Sequence, residues 1–368
     1  MKKILFLIHD LGHGGAEKVL VNLVNNMDPE QFDITVMALF GGGVNGQFLK
    51  PHIRLINRFP KAFPGNSHAM KLLSPKALHK WMISEKYDIE VAYLEGPAAR
   101  IISGCPHKDT KKVAWIHGAQ KKRKQAACSF RSYGEAMACY GRFDRIVGVS
   151  EAVQKDFLQL LPVSVPTQVL YNTNETAQIR EKALESVEHM ESGTFKLVGV
   201  GKLVASKGFD RLISLVKRMR DEGVKAHLYL LGEGPLREKL VQQTRQLDVS
   251  DHVTFLGYQT NPYKYVAKCD LFVCASHVEG FSTAATEALI VGTPVCTVAV
   301  SGMKEMLGEN NEWGIVTEND DESLCCAVRD LLTTPEKLAY YKKQATLRGE
   351  TFSTEHTVKA VEEMLLNL

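Results

Sequence analysis

Residue types that can do chemistry gather in Glu279-Gly280-Phe281-Ser282-Thr283-Ala284-Ala285-Thr286-Glu287. An apolar, strand-like run ends near Ser276 and a helical pattern starts near Thr283. That spacing puts Glu279 on a loop and Glu287 just past the first helical turn, with the free N–H groups of a helix N-terminus between them. Such an N-terminus seats an anion. A carboxylate on either side accepts paired hydroxyls, one set from a ribose and the other from a transferred hexose. Gly199-Val200-Gly201-Lys202 and then Lys207-Gly208 close another strand-like run. These two lysines stand where they could neutralise a diphosphate, although loop lysines are more often simply solvated. Leu203 stands where a Walker A loop requires Ser or Thr, which excludes that loop. Leu231-Gly232-Glu233-Gly234-Pro235 reads as a turn into a helix with Pro at its first position.

A second glycine cluster, Gly12-His13-Gly14-Gly15-Ala16-Glu17, follows the first apolar run. It suits either backbone approach to an anion or a tight structural turn. It is not the G-x-G-x-x-G fingerprint, and Leu39 and Phe40 end the next run where an acid would hold a ribose, so hydride transfer is disfavoured.

Short apolar runs that alternate with amphipathic stretches must position these residues. Strands are expected at 3–8, 32–39, 89–94, 112–116 and 145–149. The pattern restarts with strands at 195–200, 227–231, 253–256, 270–275 and 293–298. Helices are expected at 16–26, from 210, at 235–247 and at 283–291. Near-continuous Val/Ile/Leu runs separated by helices imply parallel sheets covered on both faces, here as two Rossmann-like α/β units. Expected bounds are 1–172 and 194–352, with a polar hinge at 173–193 and a C-terminal helix at 353–368.

The 368 residues suit two domains, and 45% hydrophobic with 24% charged residues excludes a disordered or collagen-like chain. Residues 1–172 carry 23 Lys+Arg against 14 Asp+Glu, while 173–368 carry 22 against 28. Opposite signs suggest different partners for the two halves. Nucleic acid is disfavoured, because no basic helix or RNP-type motif appears. The apolar run 4–8 is too short for a signal peptide's apolar region, and no stretch reaches the ~18 residues of a membrane helix, so a cytosolic protein is expected. The eight cysteines lack zinc-ligand spacing and read as reduced, with Cys269, Cys274 and Cys296 as small core residues.

The sequence resembles retaining GT-B glycosyltransferases of family 4. Glu279 and Glu287 fill that family's Glu-x7-Glu signature. Further matches run in order through Gly14-Gly15-Ala16-Glu17, Trp115-Ile116-His117-Gly118, Val149-Ser150-Glu151, Tyr171-Asn172, Gly201-Lys202-Leu203, Lys207-Gly208, Gly232-Glu233-Gly234-Pro235, Phe255-Leu256-Gly257 and Ser301-Gly302-Met303-Lys304-Glu305. The likeness is strongest to enzymes of bacterial capsule and exopolysaccharide assembly. It implies two Rossmann-like domains facing each other across a cleft, acceptor first and donor second, with the C-terminal helix packing back on the first. Catalytic roles then fall to His117, beside the transferred sugar, to Glu279 on donor-sugar hydroxyls, and to Lys202 and Lys207 on the diphosphate. Glu287 is expected on the ribose, and Gly14, Gly15, Gly201, Gly257, Phe281, Ser282 and Thr283 around the donor. By position alone His117 would more often be a satisfied histidine at a strand end.

Two departures bear on the donor. Many relatives have Arg where Lys202 stands, which keeps the charge but loses the bidentate fork. Many have Pro where Ser282 stands. The implied reaction moves a hexose or N-acetylhexosamine from a nucleoside-diphosphate sugar, UDP being the default, to a lipid-linked or saccharide acceptor with retention. Lys202, Lys207 and the helix N-terminus would stabilise the leaving diphosphate. The sequence has no Asp-x-Asp triplet, so neither metal nor cofactor is expected. Alternatives are a GT-B sugar-nucleotide epimerase or a non-catalytic nucleotide-sugar binder. Lys121, Lys122, Arg123 and Lys124 read either as a solvated loop or as a contact with an anionic membrane surface, which would make the protein peripheral at the inner face of the cell membrane.

Overall fold

The computed structural model describes residues 1–12, 14–62, 70–118, 120, 122–187, 190 and 193–368. It comprises two compact units, Met1–Asn174 with Thr354–Leu368, and Glu175–Ser353.

Unit 1 holds a parallel sheet of β1 (Lys2–Ile8), β2 (Phe32–Phe40), β3 (Arg54–Phe59), β4 (Ile89–Ala92), β5 (Lys111–Ile116), β6 (Arg145–Gly148) and β7 (Thr167–Val169). The spatial order is β3-β2-β1-β4-β5-β6-β7. Residues Ile4 to Ile8 are fully buried, as a strand covered on both faces requires. The order reverses between β1 and β4, which pair from Ile4↔Ile89 to Leu7↔Ala92. The helix Thr354–Leu366 joins this unit. Lys2 Nζ donates to the carbonyls of Leu365 and Leu366 at 3.1 Å each, and the Asp28 amide donates to Glu362 Oε1 at 2.7 Å.

Unit 2 holds β8 (Phe195–Val200), β9 (Ala226–Leu231), β10 (Val253–Gly257), β11 (Leu271–Cys274), β12 (Val295–Val298) and β13 (Ile315–Thr317). Their order is β10-β9-β8-β11-β12-β13, again all parallel, with the reversal between β8 and β11. Those two strands pair only at Leu271↔Leu197 and Phe272↔Val198. The pairing stops there, at the strand-order reversal beside which open α/β sheets bind ligands. The helix Phe209–Asp221 buries Phe209, Leu212, Ile213, Leu215, Val216 and Met219 against the sheet. At ~1.5–3 kcal/mol for each large apolar side chain, this burial anchors the loop that precedes the helix.

The structure departs from the sequence reading in three strands and at the hinge. Strand β3 has the burial of an exposed edge, with polar Arg54, Asn57 and Arg58 breaking its apolar run. Strands β7 and β13 have three residues each, too few to show periodicity. The stretch read as a hinge contains a helix, Thr176–Ala183, that belongs to unit 2. Its charged composition hides two buried positions one turn apart, Ile179 and Ala183. Arg180 Nη2 reaches Glu350 Oε1 at 2.7 Å, and the Lys182 carbonyl accepts from Asn261 at 2.9 Å.

Candidate active site

The carboxyl edge of unit 2 brings together Lys207 and Glu279. The chain leaves β8 through Gly201, makes a 3-10 turn over Ala205–Lys207 and enters the helix at Phe209. Gly208 sits between turn and helix at φ +63°, where a Cβ would lie 2.1 Å from the Ala275 carbonyl oxygen. Only glycine lets this loop approach the end of β11 so closely. The His277 amide completes the junction by donating to the Ser206 carbonyl at 2.8 Å. Lys207 Nζ then stands 2.6 Å from Glu279 Oε1, which also accepts from Ser276 Oγ at 2.7 Å. Glu279 is buried to 9% exposure. A carboxylate there needs both partners, because an unpaired buried charge is costly.

The helix Thr283–Ile290 begins just after this pair. Ser282 is its N-cap, with Oγ accepting from the Ala285 amide at 3.3 Å. Thr283 is the first helical residue. Glu287 is buried on the second turn, where Tyr263 Oη approaches Oε1 at 3.5 Å. Phe281 is buried against Phe352, with ring centroids 6.0 Å apart. Gly201 and Gly257 lie on the same sheet edge: the Gly201 amide donates to Leu231, and Gly257 accepts from Gly232. Lys202 is exposed, and among the described residues no ion pair joins it to Glu279.

Unit 1 carries a second group at its own carboxyl edge. Gly14 caps the helix Gly15–Asn26, and Glu17 folds back over it: a Gly14 Cβ would lie 1.9 Å from Glu17 Oε2. The protein's own carboxylate therefore faces the helix N-terminus that the sequence reading leaves open between an anion seat and a tight structural turn. His117 follows β5 directly. Its ring packs 4.7 Å from that of Tyr93, and its Nε2 is buried with no hydrogen-bond partner among the described residues. Burial pushes the imidazole down to about 3, so it is neutral at physiological pH. The His117 and Gly118 amides donate to Glu95 at 3.1 and 2.9 Å. Sequence reading missed Glu95, Ser276 and Tyr263. Glu95 did leave a signal, as an acid at the end of a buried run before Gly96-Pro97.

In the basic segment, Lys121 lies outside the described residues. Lys122, Arg123 and Lys124 are exposed, and the Arg123 guanidinium sits 5.2 Å over the Tyr133 ring. A cavity of about 590 Å³ here is lined by Lys71, Arg123, Lys124, Arg131, Phe130 and Tyr133, among others. Among the described residues, no helix is long and apolar enough to cross a membrane.

Residues 182–348 match the family model for glycosyl transferases group 1, and residues 13–177 match that for glycosyltransferase family 4. The chain belongs to glycosyltransferase family 4. It is 32% identical over 216 residues (58% of the chain, 57% of the relative) to the N-acetylgalactosamine-N,N'-diacetylbacillosaminyl-diphospho-undecaprenol 4-alpha-N-acetylgalactosaminyltransferase of Campylobacter jejuni. It is also 32% identical over 174 residues (47% and 49%) to the lipopolysaccharide core biosynthesis glycosyltransferase LpsD of Rhizobium meliloti. The chain thus spans about half the length of these curated relatives. Among solved structures, Anabaena HepE in complex with UDP-glucose superposes with a TM-score of 0.78 at 19% identity, over 100% of both chains. The family 4 chain therefore has the GT-B fold, built from the two Rossmann-like units.

Proposed function

We propose that this family 4 protein is a retaining glycosyltransferase that moves a hexose or N-acetylhexosamine from a nucleoside-diphosphate sugar, by default a UDP-sugar, to a lipid-diphosphate-linked or saccharide acceptor in cell-surface polysaccharide synthesis. The observation that carries the reading is the Lys207–Glu279 pair at the β8/β11 reversal, just before a capped helix N-terminus. In this reading Lys207 and Lys202 take the diphosphate, with the Ser282 and Thr283 backbone. Glu279 takes donor-sugar hydroxyls, and Glu287 takes the ribose. Gly14, Gly15, Gly201, Gly257 and Phe281 shape the surroundings of the donor. As the glycosidic bond breaks, negative charge develops on the leaving diphosphate, and the lysines and helix N-terminus stabilise it. No metal or cofactor is invoked.

HepE was crystallised with UDP-glucose, and the Campylobacter relative is named for a diphospho-undecaprenol substrate. Both support a UDP-sugar donor and a lipid-diphosphate acceptor here. The cationic wall of the unit 1 cavity supports contact with an anionic membrane face.

The experiment is a thermal-shift panel of UDP, GDP, ADP, CMP and their common sugars, followed by transfer to a lipid-diphosphate acceptor. A nucleotide at ~100 times its Kd adds about 2.7 kcal/mol of stability. The reading fails if every nucleotide leaves the melting temperature unmoved and no sugar is transferred.

A further inference from the structure

Glu95 lies immediately beyond β4, next to the strand-order reversal in unit 1. Its two carboxylate oxygens are divided between consecutive amides: Oε2 accepts from His117 at 3.1 Å and Oε1 from Gly118 at 2.9 Å. Strand β5 has ended at Ile116, whose carbonyl accepts from the Val149 amide. Past that point the carboxylate replaces the sheet ladder as the partner of the backbone. The Gln120 side chain bonds the same carboxylate. A Cβ at Gly118 would lie 2.7 Å from Glu95 Oε1, so any larger residue there would displace the carboxylate. The backbone at His117 and Gly118 is therefore held by one side chain from the loop after β4.

The imidazole held in this way has an unmet need. His117 Nε2 is buried and has no partner among the described residues. An unsatisfied buried polar atom is costly unless a ligand completes it. Its ring rests on Tyr93, a buried aromatic that blocks rotation on that side.

We propose that Glu95 is a positioning residue: by clamping the His117 and Gly118 amides it aims His117 Nε2 at an uncharged sugar hydroxyl. Identifying the ligand as a sugar rests on the glycosyl-transfer reading above. The clamp itself does not. The ligand is uncharged because a buried, neutral imidazole offers no charge to balance a phosphate. Burial keeps the imidazole neutral, and a neutral ring can donate to or accept from a hydroxyl.

The test uses Glu95→Gln in the full chain. The amide oxygen can take one N–H but sets its NH2 against the other. Expected results are a kcat for sugar transfer at least tenfold lower and a UDP-induced thermal shift unchanged, because the nucleotide residues lie in unit 2. Glu95→Asp keeps the charge but is one methylene short, so it should recover only part of kcat. An activity-independent readout is the titration of His117 by NMR of 15N-histidine-labelled protein. In the native protein the ring should stay neutral down to about pH 4. In Glu95→Gln it should gain water and titrate closer to pH 6. If Glu95→Gln does not fold, Gly118→Ala displaces the same carboxylate with Glu95 intact and should give the same titration change. Unchanged kcat in Glu95→Gln overturns the proposal, as does an unchanged His117 titration in the folded variant. If the native protein transfers no sugar from any donor, the glycosyl-transfer reading fails and the titration still decides the clamp.

Discussion

Lys207 has an anionic partner in Glu279, so a donor diphosphate must compete with that carboxylate for it. Glu279→Gln removes the competitor and leaves the lysine free. The 2.6 Å contact is worth ~6 kcal/mol at an effective dielectric of 20 and ~1.6 kcal/mol in bulk water. Lys207 keeps 29% of its side chain exposed, so the water-screened figure applies. About 1.5 kcal/mol is roughly tenfold in affinity. UDP, which lacks the sugar that Glu279 would contact, should therefore bind Glu279→Gln about tenfold more tightly than the native protein. Sugar transfer should move the other way, down about 100-fold, or ~2.7 kcal/mol of transition-state binding. Ser276 Oγ can still donate to the glutamine oxygen, so the loop should stay in place. Isothermal titration with UDP and a transfer assay measure the two halves separately. If UDP affinity stays flat or falls while transfer is unaffected, Lys207 does not switch between Glu279 and the diphosphate.

Other expectations follow from neighbouring features. Gly208→Ala would drive a Cβ to 2.1 Å from the Ala275 carbonyl at φ +63°, so it should cost more than ~2 kcal/mol in urea unfolding and abolish the UDP thermal shift. Ser282→Ala should lose ~1 kcal/mol of stability with its N-cap. Ser282→Pro should fold, because Ser282 already has φ −67°, close to the value a proline ring imposes. The buried His79–Glu90 pair, 2.8 Å apart, should make stability pH-dependent. Burial alone would depress His79, but hydrogen bonds to Cys105 and Glu90 outweigh it and raise the group to about 9. A raised folded-state value stabilises fully below the unfolded value of about 6.5 and is lost as pH rises through 9. The urea midpoint should accordingly fall between pH 7 and pH 10 by ~3 kcal/mol of stability, and a flat midpoint over that interval would rule out the ion pair.

The sequence carried the layout of both sheets through their buried strands. Ile4-Leu5-Phe6-Leu7-Ile8 and Val295-Cys296-Thr297-Val298 are runs that only a strand covered on both faces tolerates. It failed at β3, because an edge strand exposes Arg54 and Arg58 and so resembles a loop. It failed at Thr176–Ala183, where two buried positions are too few for a visible stripe. At the site, Glu279 and Glu287 were legible because their spacing spans a helix start. The Lys207–Glu279 contact was not, since those residues lie 72 positions apart and meet only through the β8/β11 reversal. The role of Glu95 escaped for a like reason: its partners are amides just past β5, and backbone donors have no residue-type signature.

The two units answer the same topology with opposite electrostatics. Each sheet reverses its strand order once, and in each the chemistry-bearing residues stand at the carboxyl ends beside that reversal. In unit 2 the edge offers Lys207 and Lys202 with a capped helix N-terminus, groups that favour negative charge. In unit 1 the corresponding edge offers a neutral imidazole braced by Glu95, and a helix N-terminus that Glu17 already covers. Net charge runs the other way, with the basic excess in 1–172 and the acidic excess in 173–368. Bulk charge therefore does not say which unit takes the anion. Raising salt should weaken UDP binding only modestly, because the charges involved are few and local. Any binding of unit 1 to anionic vesicles through Lys122, Arg123 and Lys124 should fall steeply, because it depends on exposed charge. Between 50 and 300 mM NaCl, a UDP affinity that fell as steeply as vesicle binding would mean that the nucleotide is held by surface charge and not by the built site at the β8/β11 reversal.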